Sequence, residues 1–210
     1  MNKIWGCLGK LIVLAGIIIC VWLTIQDGLL NKLQHNMPSI SVPLSLNLPG
    51  THAQGSSASS SSVVGQPTLS AAFVNQVLAQ AHSPAQGTGQ VLYALSKQYG
   101  IDDAYALAFF QHESLFGTTG VARVTRSLGN IRCTPGYRCL YGFRAYSSWQ
   151  AGYQDWYALI KNLYIDQWHR RTVSAIIPVY APESDGNDVP AYITAVEQAV
   201  TMWRRGEVSA

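Results

Sequence analysis

Tyr105-Ala106-Leu107-Ala108-Phe109-Phe110-Gln111-His112-Glu113-Ser114-Leu115-Phe116-Gly117 decides the fold of this 210-residue chain. From Tyr105 to Phe110 every residue is apolar, whereas a surface helix shows only an apolar stripe. Asp102 or Asp103 can cap the start and Gly117 can end it, which predicts a central helix enclosed on all sides. Its last turn nevertheless carries a carboxylate, Glu113. Apolar neighbours and the negative end of the helix dipole both disfavour the charged form of that side chain. A carboxylic acid still protonated near neutral pH is what protonation of a glycosidic oxygen requires. The plainer alternative is a partly exposed Glu just past the buried segment, paired with an arginine.

Working outward, five further helices are predicted around this one. Leu69, Ala72, Phe73, Val77, Leu78 and Ala81 keep a helical period that Ser83-Pro84 ends. Thr88 or Gly89 opens a second helix that Gly100 closes, and the central helix is third. Residues 117–146 break every periodicity, which predicts a loop-rich lobe with a short hairpin around Ile131–Tyr141. Ser147 with Gln150 resembles a capping box and starts a helix whose apolar face runs from Trp149 to Tyr164. A short helix over Thr172–Ile177 follows, then Tyr180-Ala181-Pro182, an acidic turn through Asp188, and a last helix from Pro190 to about Arg204.

The chain ahead of this domain reads differently. Ile4 to Ile25 is interrupted only by Lys10 and by small or weakly polar residues. As a helix it would span roughly 30 Å, enough to cross a bilayer. Lys3 and Lys10 precede its strongest part, so residues 1–26 are expected to anchor the chain with everything after them extracytoplasmic. A cleaved signal peptide is the rival, but no small-x-small site closes the run. Residues 27–67 hold four of the nine prolines and a Ser-rich stretch, and are expected to be a flexible linker. The folded domain is then 68–210.

Composition narrows the function classes. A net charge of +3, from 14 Lys and Arg against 11 Asp and Glu, is too small for the dense basic face of a nucleic-acid binder. Eleven Tyr and six Trp suit a sugar-binding cleft or simply a core. Cys133 and Cys139 enclose a Pro-Gly turn that can bring their sulfurs together, so a disulfide is expected, in an oxidising compartment. That spacing is a poor zinc site, and no metal is expected. Size alone suggests a monomer.

Four segments occur in a telling order: His112-Glu113-Ser114-Leu115-Phe116-Gly117, Leu128-Gly129-Asn130-Ile131, Phe143-Arg144-Ala145-Tyr146-Ser147, and Tyr180-Ala181-Pro182 with Tyr192. Over about residues 68–205 the chain resembles the bacterial cell-wall glucosaminidases of the lysozyme-like superfamily, the mannosyl-glycoprotein endo-beta-N-acetylglucosaminidase-like family. The resemblance implies a mainly α, lysozyme-like α+β domain with a small loop or hairpin lobe, preceded here by one transmembrane helix. It implies cleavage of peptidoglycan glycan strands after N-acetylglucosamine, without a cofactor. Glu113 takes the place of the catalytic general acid, and Tyr180 that of a substrate-facing catalytic tyrosine. Ser114, Asn130, Phe143, Tyr146 and Tyr192 take places that shape or line the cleft, and Asp155 matches an acidic position expected to orient a polar group inside the domain.

One departure matters for the reaction. Several relatives supply a second carboxylate from the lobe after the catalytic helix, yet residues 115–154 contain no Asp or Glu. Glu113 would then act with the substrate's own acetamido group or with a water held by Tyr180. Alternatively it would act alone as a lytic transglycosylase, though the Gly-Leu-Met-Gln run of many such enzymes is missing. A third possibility is an inactive peptidoglycan-binding or scaffolding module. His112 cannot share the Glu113 face of the helix, and a surface or supporting role is expected for it. Trp149 and Trp156, seven residues apart, are expected in the core. Arg132, Arg138 and Arg144 are either contacts for stem-peptide carboxylates or solvated surface.

Overall fold

Local capping chemistry sets where the helices begin in the computed structural model, which describes residues 61–208. The Ser70 hydroxyl accepts from the Phe73 amide and starts α1 (Ala71–Gln80). Helix α2 (Gly89–Tyr99) ends on Gly100, whose φ of 63° is the left-handed conformation that glycine adopts without a steric penalty. Asp102 accepts from the Ala104 amide at 3.0 Å and starts α3 (Asp103–Ser114). A single turn, α4 (Ala122–Thr125), and the hairpin of β1 (Cys139–Leu140) and β2 (Phe143–Arg144) form the small lobe. Helix α5 (Trp149–Leu159) is capped by Ser148 and continues as a π-helix over Ile160–Gln167. Helices α6 (Val173–Tyr180) and α7 (Val189–Arg204) are capped by Thr172 and Asp188, and the 3-10 turn Glu183–Asp185 lies between them.

The domain is mainly helical, as the sequence leads one to expect, and α3 is its axis. Every residue from Asp103 to Phe110 is buried. Phe109 packs against Trp156, Tyr180 and Tyr192, and Phe110 against Tyr153 and Trp156, so rings from α5, α6 and α7 converge on one helix. Each fully buried Leu or Phe side chain contributes roughly 1.5–3 kcal/mol of transfer free energy. Trp156 is a core residue and Trp149 packs partly buried against the same core.

Several boundaries differ from expectation, each for a local reason. Helix α3 stops at Ser114, not Gly117: Leu115 and Phe116 turn left-handed, φ 45° and 56°, and the Ser114 hydroxyl accepts the Gly117 amide at 2.9 Å. Burial of Phe116 holds the chain in that turn. The hairpin falls later than Ile131–Tyr141, because Tyr141 and Gly142 both have positive φ and make the two-residue turn. The capping residue of α5 is Ser148, which accepts from the Ala151 amide, rather than Ser147 with Gln150. Helix α6 extends through Pro178 to Tyr180, three residues past the expected end.

The folded domain also starts before residue 68. Ser62 pairs with Thr172 and Val64 with Ile101, Val63 is buried, and the Thr68 amide and hydroxyl both donate to Asp102. Residues 61–67 therefore belong to the domain and not to the linker, because these strand-like contacts satisfy their backbone. The proposed membrane segment, residues 4–25, and the rest of the linker lie outside the described residues. Among the described residues no helix is long and apolar enough to cross a membrane.

Candidate active site

The end of α3 meets the loop 127–131, the hairpin lobe and the α6–α7 connection around a cavity of about 450 Å³. That is ample for a sugar residue and its neighbours. Glu113, Asn130, Arg132, Phe143, Tyr180 and Asp185 supply its principal polar and aromatic lining, and Leu159, Leu163 and Tyr164 form an apolar wall.

Glu113 is partly buried and tightly held. Its Oε1 accepts from the Tyr192 hydroxyl at 2.8 Å. The Asn130 side-chain amide donates to the Glu113 backbone carbonyl at 2.6 Å and reaches toward Oε2 at 3.4 Å. Burial pushes the Glu113 carboxyl up to about 7, against the opposing pull of Tyr192, Asn130 and the Arg132 charge. Burial also raises the Tyr192 hydroxyl well above 10, so it stays a donor. A carboxyl so arranged can donate a proton at neutral pH and take it back afterwards.

Three further anchors keep this geometry. The Ser114 hydroxyl donates to the Leu128 carbonyl at 2.9 Å and fastens the 127–131 loop to the helix end. Tyr180 donates to the Gly129 carbonyl while the Trp156 indole N–H donates to Tyr180 at 3.1 Å. Gly129 fits this clamp only without a side chain, since a Cβ there would sit 2.4 Å from Trp156 Cδ1 and 2.7 Å from the Tyr180 hydroxyl. His112 is exposed and stacks on Tyr192 with ring centroids 3.6 Å apart, backing the residue that bonds Glu113.

The expected site residues thus sort into two groups. Glu113, Asn130, Phe143 and Tyr180 line the cavity. Ser114, Tyr146 and Tyr192, expected to bind substrate by shaping or lining the cleft, are not among its lining residues and support it from behind. The buried Ser114 hydroxyl bonds to backbone groups, the Phe110 and Leu128 carbonyls and the Gly117 amide, and Tyr192 is buried behind Glu113. The Tyr146 hydroxyl donates to Asp155, which also accepts from Arg144 at 2.8 Å and Tyr137 at 3.3 Å. Asp155 therefore orients polar groups inside the domain, tying the hairpin lobe to α5. Tyr180 is a cavity wall whose hydroxyl proton is committed to Gly129. Burial holds that hydroxyl well above 10, which removes it as a base.

The disulfide Cys133–Cys139 is present and closes the loop ahead of β1. Of the three arginines, Arg132 and Arg144 both line the cavity, Arg144 buried on Asp155 and Arg132 exposed and paired with Asp185 at 3.0 Å, whereas Arg138 is exposed outside the lining. Sequence reasoning passes over Asp185. The available signal is its place in the acidic turn directly after Tyr180-Ala181-Pro182. No family model matches the chain, and no curated protein matches it.

Proposed function

We propose that the chain is a membrane-tethered, extracytoplasmic peptidoglycan hydrolase of lysozyme-like fold, a monomer that cleaves glycan strands after N-acetylglucosamine with Glu113 as general acid. The observation that carries this reading is a carboxyl pushed up to about 7 at the end of a buried helix, facing a cavity of sugar size. Glu113 donates its carboxyl proton to the glycosidic oxygen as the bond to the anomeric carbon breaks. Tyr192 and Asn130 keep the carboxyl aimed while the proton leaves, and they stabilise the carboxylate that remains. Phe143 and the apolar wall at Leu159 and Leu163 offer surface for the weakly polar faces of sugar rings.

The test is digestion of purified peptidoglycan from several wall types by the wild-type protein and by Glu113→Gln, with mass analysis of the new sugar ends. Reducing N-acetylglucosamine ends, lost in the variant, support the proposal. Anhydro-muramic ends mean a lytic transglycosylase instead, and wild-type protein that binds the wall without cutting it means a binding module.

A further inference from the structure

Glu113 shares its cavity with a second carboxylate. Among the described residues lining the cavity, Asp185 is the other acidic side chain. It sits in the 3-10 turn between α6 and α7, 72 positions beyond Glu113 in sequence (185 minus 113). The turn is braced at both ends: the Asp185 amide donates to the Pro182 carbonyl at 3.0 Å, and the Asn187 side chain donates to the same carbonyl at 3.1 Å. Gly186, at φ 84°, then releases the chain toward α7.

Arg132 links the two acids. Its guanidinium donates to Asp185 Oδ2 at 3.0 Å, its charge acts on Glu113, and it lies over the Phe143 ring at 5.2 Å. Oδ1 of Asp185 has no hydrogen-bond partner among the described residues, so it is open to a water. The other acids are committed elsewhere. Asp155 does not line the cavity and accepts from Tyr137, Arg144 and Tyr146, and Asp102 and Asp103 are bound to residues 68, 69 and 204 at the far end of α3.

We propose that Asp185 is the second carboxylate of the reaction, the general base for the attacking water, held at the cavity by Arg132. The proposal rests on the hydrolase reading above. In this step Asp185 takes a proton from water, and the water oxygen bonds to the anomeric carbon. The glycosidic C–O bond breaks as its electron pair goes to the leaving oxygen, which receives the Glu113 proton. The product has inverted anomeric configuration, and exchange with solvent returns both acids to their starting forms. The ion pair is exposed, so it contributes at most about 1 kcal/mol to stability and its part is to position Asp185.

The experiment compares full-length wild type with Asp185→Asn, Asp185→Ala, Arg132→Gln and Glu113→Gln on purified glycan strands, measuring turnover, binding and the anomeric configuration of the first product by NMR. Asp185→Asn is expected to lose about 100-fold or more in kcat with binding retained. Arg132→Gln is expected to lose less than tenfold, and sodium formate to restore turnover to Asp185→Ala. Melting temperature should be unchanged in the Asp185 variants. Near-normal kcat in Asp185→Asn overturns the proposal, as does a retained product or an equal loss in Arg132→Gln without formate rescue. Those outcomes leave the hydrolase standing so long as Glu113→Gln is dead. A wild type that cuts no strand overturns both.

Discussion

Replacing Glu113 with Gln should make the protein more stable at neutral pH while removing its proposed acid. Burial raises the Glu113 carboxyl from 4.5 to about 7. A group whose folded pKa is raised stabilises the fold fully below its unfolded pKa, and that advantage is lost as pH climbs through the folded value. A rise from 4.5 to about 7 makes the cost of ionising Glu113 in the fold about 3 kcal/mol above pH 7. Partial exposure to solvent reduces the measurable effect to about 2 kcal/mol. Gln carries no charge and its carbonyl can still accept from Tyr192. The two proteins should therefore match near pH 4.5 and diverge steadily to about pH 7, with Glu113→Gln the more stable. Asp103 is also pushed up to about 7 by burial, but it is present in both proteins and cancels in the difference. Urea unfolding at pH 4.5, 6 and 8 measures this. A constant difference across that range, or a variant less stable at pH 8, refutes the claim that burial keeps Glu113 protonated.

Tyr192→Phe removes the hydroxyl that holds the Glu113 carboxyl down, so the alkaline limb of glycan cleavage should move to higher pH, at a stability cost of about 1 kcal/mol. An unmoved limb in the pH–rate profile would show that Tyr192 does not act on the acid. Gly129→Ala forces a Cβ into Trp156 and Tyr180, and should destabilise the domain by roughly 2–3 kcal/mol in a thermal melt and open the 127–131 loop. A melting temperature within a degree of wild type contradicts the clamp. Cys133 and Cys139 should resist alkylation until reductant is added, then each gain one label by peptide mass. Labelling of both sites in unreduced protein speaks against the bridge.

The helices were legible because periodicity and punctuation agree. The six-residue apolar run in α3 signals enclosure, Asp102 and Asp188 are strong capping residues, and Gly100 marks the end of α2. The small lobe was less legible. Its turn uses Tyr141 with Gly142 where Asn-Gly is the usual signal, and its strands are two residues long. Residues 61–67 looked like linker because their composition is poor in core-formers, yet pairing with Ile101 and Thr172 fixes them. Tertiary partners more than 30 residues away leave no local trace.

The site follows the same division. Glu113 stands out in sequence because a carboxylate ends an apolar helix. Its supports, Tyr192 and Asn130, are 79 and 17 residues distant and only the fold brings them to it. Ser114 and Tyr146 lie beside site segments but turn toward backbone and Asp155, since a buried hydroxyl must find a partner. Asp185 escapes because an acid in a polar turn has the composition of ordinary surface, and its meaning comes from the cavity it faces.

The central claim is that one carboxyl, Glu113, remains an acid at neutral pH. Carbon-13 NMR titration of the side-chain carboxyls, with the Glu113 signal assigned by its loss in Glu113→Gln, tests that most directly. An inflection near pH 7 is expected. An inflection near 4.5, the ordinary value for a glutamate, would contradict it.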